Sequence, residues 1–210
     1  MIAPVRVLLV SGSTRSGSAN TAALATAAAV APGRVTTAVY DGLAGLPAFN
    51  PDHDGDDVPQ AVAELREEIA TADAVLFCTP EYAGSLPGSF KNLLDWTVGG
   101  GQLYGKPAAW INVAGPGRGQ GAQDTLATVL RYVGAAIVET ACRDIPVNRA
   151  TVSPDGKVSD PQFLAGAARV WDALLSHLDE RPGEGELIRR SSAPASRREL
   201  SPEMPAFAVA

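Results

Sequence analysis

Two polar stretches hold most of the residues in this chain that could do chemistry. The first, Ser11-Gly-Ser-Thr-Arg-Ser-Gly-Ser-Ala-Asn-Thr21, separates an apolar run from an alanine-rich one, so a strand feeds a hydroxyl-rich loop that opens a helix. Unpaired N–H groups at a helix start, with the helix dipole behind them, attract an anion. Side-chain hydroxyls and the planar fork of Arg15 complete a site for a phosphate monoester. The same residues also suit an ordinary turn in which Ser18 or Asn20 only caps the helix. Position favours the ligand, because open parallel sheets bind at the carboxyl ends of their strands.

The second stretch, Pro80-Glu-Tyr-Ala-Gly-Ser-Leu-Pro-Gly-Ser-Phe-Lys-Asn-Leu-Leu-Asp-Trp96, follows the apolar run Val75-Leu-Phe-Cys-Thr79. A mononucleotide whose phosphate sits at the first loop would bring its ring toward residues 80–84, where main-chain groups can hydrogen-bond a flat heterocycle. Tyr82 either stacks on that ring or is a half-buried aromatic with a wet hydroxyl. A third loop, Gly115-Pro-Gly-Arg-Gly-Gln-Gly121, lets the backbone approach a ligand closely or is simply a flexible surface connection.

The elements that must position these loops follow from hydrophobic pattern. Apolar runs at residues 5–11, 34–40, 74–79, 107–114 and 136–141 are too continuous for one-sided burial and read as parallel strands covered on both faces. Helical periodicity fills the gaps at residues 20–31, 58–70, 88–97 and 122–133, with Val58, Val62, Leu65 and Ile69 on one stripe. A last helix starts at Ser159 or Asp160 as cap and Pro161, and carries Phe163, Ala167, Val170, Trp171, Leu174 and Leu178 at helical spacing. Right-handed crossovers reduce this α/β succession to a few topologies, among them the doubly wound five-stranded parallel sheet of order 2-1-3-4-5 with helices on both faces.

Composition narrows the function. The 210 residues fit one domain, 46% apolar and 6% aromatic. A net charge of −6 argues against nucleic acid, and the pairs Arg189-Arg190 and Arg197-Arg198 read as solvated charge. No apolar run is long enough to span a membrane, and Arg6 interrupts the opening segment without a cleavage site, which reads as cytoplasmic. Cys78 and Cys142 read as core thiols. The chain divides into a folded domain over residues 1–180 and a flexible tail over 181–210, rich in Pro, Ser and Arg, whose apolar end also suits contact with a neighbouring subunit.

Several near matches fail on context. Residues 117–122 fit a relaxed dinucleotide pattern but follow the fourth strand, and Glu139 falls inside the next one. Residues 100–106 approach a P-loop, but Pro107 stands where the magnesium hydroxyl belongs. The acidic segment 52–57 has its glycine misplaced for a calcium loop, so no metal is expected. His53 and His177 adjoin no nucleophile.

The pairing of Gly12-Ser-Thr-Arg-Ser-Gly-Ser-Ala-Asn20 with Pro80-Glu-Tyr82 and Pro87-Gly-Ser-Phe-Lys-Asn-Leu-Leu-Asp-Trp96 resembles the NADPH-dependent FMN reductase family, which has azoreductase, quinone reductase and chromate reductase members. The resemblance covers residues 5–178 and implies a flavodoxin-like fold that binds FMN and takes NADPH or NADH as reductant. It implies that Ser13, Arg15, Ser18, Asn20 and Thr21 hold the FMN phosphate. Pro80, Glu81, Tyr82, Ala83 and Gly84 would meet the ring edge, largely by main chain, and Gly115 and Gly117 would lie against the ring. Ala83 departs from the family, which usually has Asn there. The chemistry would be the flavin's, with no dedicated catalytic side chain.

Small acceptors such as quinones, azo dyes or free flavin are the implied partners, in a homodimer or tetramer whose subunits cover the flavin. Phe90, Leu93, Leu94 and Trp96 suit either that interface or the core. Two other functions use the same loops, an electron carrier and a phosphate-metabolite-binding module without redox chemistry.

Overall fold

The computed structural model describes residues 3–55 and 57–180. The expected tail at 181–210 lies outside the described residues. Parallel strands β1 (Val5–Ser11), β2 (Val35–Tyr40), β3 (Ala74–Cys78), β4 (Pro107–Asn112) and β5 (Ala136–Ile137) lie in the order β2-β1-β3-β4-β5. Between them run helices α1 (Ala19–Ala29), α2 (Gln60–Ala70), α3 (Gly88–Asp95) and α4 (Gln120–Tyr132), and α5 (Pro161–Glu180) closes the described chain. The order reverses between β1 and β3, which pair from Val7↔Ala74 to Ser11↔Cys78. That reversal point is where sheets of this kind open a crevice.

Two-residue alternation divides the strand side chains between the two faces. Val7, Leu9, Leu76, Cys78, Ala109 and Ile111 join one core with α1 and α5. Leu8, Val10, Val75, Phe77, Ala108 and Trp110 join the other with α2, α3 and α4. The alanines of α1 allow close approach, and Trp171 Nε1 donates to the Ala27 carbonyl at 2.9 Å to bind α5 onto it. Asp160 caps α5, its carboxylate accepting from Gln162 N at 2.8 Å.

Two sequence expectations change. The run at 136–141 is not one strand: after Ile137 the chain makes a 3₁₀ turn at Glu139–Ala141, then rejoins the sheet as β6 (Arg143–Asp144), paired with Ile111 and Asn112 of β4. Val138 and Ala141 are both buried in the α1/α5 core. A strand cannot place residues three apart on one face, whereas a 3₁₀ turn stacks them. Glu139 therefore stands in a turn.

The second change concerns α3. Phe90, Leu93, Leu94 and Trp96 are all fully buried within the chain, so they form core and offer no interface. Trp96 Nε1 and Asn92 Nδ2 each donate to the Pro47 carbonyl at 2.9 Å, and Arg66 donates to the Trp96 carbonyl while pairing with Asp54. The acidic segment thus contributes a half of an ion pair that pins α3.

Candidate active site

The three loops leave β1, β3 and β4 at the same edge of the sheet, and close approach joins them. Gly12 N donates to the Cys78 carbonyl at 2.9 Å, and a β-carbon at Gly12 would overlap the Thr79 side chain. The first loop can lie against β3 only because residue 12 has none. Gly17, at φ +65°, then turns the chain into α1.

Within the first loop, the hydroxyls divide between structure and surface. Ser18 caps α1, accepting from Asn20 N at 3.2 Å and from Asn20 Nδ2 at 3.3 Å. Asn20 points inward, its Oδ1 accepting from the Cys78 thiol at 3.3 Å. Burial pushes the Cys78 pKa far above the ordinary thiol range, so Cys78 remains a protonated donor to Asn20. Thr21 Oγ1 lies 3.0 Å from Ser11 Oγ. Ser13 Oγ accepts from Arg15 N at 3.3 Å.

The backbone N–H groups of Thr14, Ser16, Gly17 and Ser18 meet no acceptor among the described residues, and the Arg15 side chain is exposed without a partner there. Of the five residues expected at this loop, Arg15 is therefore exposed, Ser13 is half-buried with its hydroxyl turned to Arg15 N, Thr21 is exposed but tied to Ser11, and Ser18 and Asn20 shape the loop from within. Beside Thr14 a groove of about 560 Å³ runs along Leu43, Leu46, Gly88 and Asn92.

The loop after β3 is a tight hairpin. Tyr82 and Ser85 exchange two backbone hydrogen bonds of 3.0 Å around Ala83 and Gly84, whose φ values are +51° and +74°. Positive φ at both central positions defines a type I′ turn, which favours Asn-Gly. Ala83 is the one non-glycine residue with positive φ among the described residues. The Asn usual at this position suits the backbone as well as any ligand, since Asn tolerates the left-handed region and Ala does not. Tyr82 is 55% exposed, so its ring presents a free face at the rim.

Glu81 has a role that sequence reading did not assign. Its Oε2 accepts from Ala122 N at 3.3 Å, capping α4 from a neighbouring loop. Ser85 Oγ and Thr125 Oγ1 are 3.2 Å apart, and a β-carbon at Gly121 would run into the Gly84 carbonyl. The hairpin and the start of α4 are thus one rigid unit.

Asn112 was also missed. Buried at the end of β4, it accepts from Ala114 N at 3.1 Å and donates through Nδ2 to the Arg118 carbonyl at 3.0 Å and to Asp144 Oδ1 at 2.8 Å. These bonds close the loop holding Gly115 and Gly117, both exposed. A polar residue ending an apolar run before a glycine-rich loop was the available signal.

Comparison with known proteins decides the family. Residues 5–144 match the family model described as NADPH-dependent FMN reductase. The chain belongs to this family. Every candidate residue of the three loops lies inside the matched span.

Among related proteins of the FMN reductase type, the NAD(P)H-dependent FMN reductase of Pseudomonas aeruginosa is 42% identical over 112 residues, 52% of this chain and 60% of that one. The chain thus matches less than two thirds of that relative's length. The 2-hydroxy-1,4-benzoquinone reductase of a Burkholderia species is 30% identical over 158 residues, 73% of this chain and 85% of that one. The solved flavoenzyme NAD(P)H:(acceptor) oxidoreductase of Paracoccus denitrificans superposes with a TM-score of 0.67 at 29% identity, over 82% of this chain and 98% of that one.

Among the described residues, no group of His, Cys, Asp and Glu could hold a metal ion, and no helix is long and apolar enough to cross a membrane. Cys142 is half-buried, its pKa raised to about 11 chiefly by burial, and its thiol points at the Val138 carbonyl at 3.5 Å. Neither cysteine is poised as a thiolate.

Proposed function

We propose that this chain is an NAD(P)H-dependent FMN oxidoreductase that reduces small acceptors such as quinones, flavins or azo compounds. The observation that carries the reading is the first loop: four loop N–H groups without an acceptor among the described residues and the exposed Arg15, at the sheet's reversal point and beside the start of α1. That donor set fits the dianionic phosphate of FMN. Thr14, Ser16, Gly17 and Ser18 would bind it by main chain and Arg15 by its guanidinium, with Ser13 and Thr21 offering hydroxyls and Ser18 and Asn20 holding the loop in shape.

When bound, FMN would supply the redox chemistry, hydride transfer from NADPH or NADH and then electron transfer to the acceptor. The protein's part is to hold the ring edge by the main chain of Pro80, Glu81, Tyr82, Ala83 and Gly84, and to close its other side with Gly115 and Gly117. The ties from Glu81 and Ser85 to α4 keep those groups in place before a ligand arrives, so little ordering is left to binding. Tyr82 borders the open face that reductant and acceptor share.

The domain carrying this activity spans residues 1–180. It acts in the cytoplasm, where two free thiols suit a reducing compartment, and as a dimer or tetramer whose second subunit covers the exposed face at Tyr82. Steady-state kinetics test the mechanism. Oxidation of NADPH with a quinone should give parallel double-reciprocal lines as the acceptor is varied; intersecting lines would mean that both substrates bind together.

A further inference from the structure

A second cavity lies at the same edge of the sheet, beyond β4. It measures about 550 Å³, within the range of small-molecule sites, and is formed by residues 143–146 and the first turns of α5. Arg143 and Arg169 line it, and neither guanidinium has an ion pair or hydrogen bond among the described residues. Two unpaired arginines in one cavity stand out in a chain of net charge −6.

One carboxylate, Asp144, belongs to the lining and is held by neutral amides, so the two guanidinium groups leave the cavity with a net positive charge. Asp144 Oδ1 accepts from Asn112 Nδ2 at 2.8 Å and from Gln123 Nε2 at 3.0 Å, and Asp160 caps α5. The rest of the lining includes Ile145, Pro146 and Ala165, an apolar wall. Gly166 lets the helix come close enough to form it, because a β-carbon there would press on Ile145 at 2.8 Å.

We infer that this cavity binds the adenosine 2′-phosphate end of NADPH, with Arg143 and Arg169 clamping the phosphate and the apolar wall receiving the purine. The inference rests on the reductase reading for its choice of ligand. A terminal phosphate monoester is the group that two free guanidinium forks recognise best, and it is the group that separates NADPH from NADH.

Placement supports the choice. Asn112 Nδ2 bonds both Asp144 on the cavity rim and the Arg118 carbonyl in the glycine loop, so the cavity adjoins the candidate flavin site through one side chain. Arg169 lies beyond residues 5–144, so the site is built partly outside the span that defines the family. Specificity for the phosphorylated reductant is thus set by this chain's own last helix.

The test is calorimetric titration of the full chain with 2′,5′-ADP and with 5′-AMP, which lacks only the 2′-phosphate. Wild-type protein should bind 2′,5′-ADP at least about tenfold tighter, the scale of a charge-assisted contact. R143A/R169A should lose that preference, and each single variant part of it. In the FMN-loaded protein the double variant should raise KM for NADPH far more than for NADH, while retention of FMN checks that the fold is intact.

Equal binding of the two nucleotides by wild-type protein would overturn the inference. So would a preference that survives in R143A/R169A, or inorganic phosphate competing as well as 2′,5′-ADP. Arginine-dependent binding of 2′,5′-ADP by a protein that oxidises neither nicotinamide would keep the subsite and reject the reductase. Turnover of both reductants without that binding would do the reverse.

Discussion

The loop at residues 11–18 and the hairpin at residues 82–85 stand at adjacent strand ends, yet they use their polar groups in opposite ways. The first leaves main-chain donors and Arg15 open to solvent and spends Ser18 and Asn20 on its own shape. The second commits Glu81 and Ser85 to α4 and relies on backbone held in a strained turn. The difference matches what each would recognise. A charged phosphate is gripped by unspent donors, whereas a flat, neutral ring needs edges fixed in advance.

The largest effect should come from breaking the rigid unit. Gly121→Ala puts a β-carbon into the Gly84 carbonyl, a backbone atom that cannot swing aside, and should cost about 3 kcal/mol of stability by overpacking. A urea midpoint that does not move would show that the hairpin and α4 are free to separate. Arg15→Ala makes the contrasting test. Because the side chain has no partner among the described residues, stability should change by less than about 0.5 kcal/mol, while the dissociation constant for FMN should rise about tenfold. A loss of stability without a loss of FMN affinity would reverse the roles assigned to the two regions.

Glu81→Ala should remove about 1 kcal/mol by uncapping α4, measured by thermal or urea unfolding. Ala83→Asn is the smallest expected change and runs the other way. Relief of positive φ in the type I′ turn should stabilise the protein by about 0.5–1 kcal/mol, and Ala83→Val should destabilise it. If Ala83→Asn proves destabilising, the turn is not of the kind described.

Much of this was legible in the sequence, for identifiable reasons. Strands buried on both faces leave continuous apolar runs, so β1, β3 and β4 were readable, and so was the placing of the loops that follow them at one edge of the sheet. What escaped depends on long-range geometry. Asn20 fits phosphate binding by position, but only the packing of α1 on β3 shows that it turns toward Cys78. Phe90 and Trp96 look alike as core or interface until Phe77 of β3 is seen to pack on Phe90 and the segment at Pro47 and Phe49 on Trp96. The break after Ile137 hides in an apolar run, because composition does not report that Val138 and Ala141 share a face. Arg143 and Arg169 belong to segments whose approach only the fold determines.

The central claim is tested most directly by a visible absorption spectrum of the purified chain after incubation with FMN and desalting, repeated after NADPH is added without oxygen. Retained flavin bands that bleach with NADPH are the expected result and would leave the acceptor as the open question. Retained bands that NADPH leaves unchanged would contradict the reductase assignment and favour an electron carrier, and bands that wash away would contradict the phosphate site at residues 11–18.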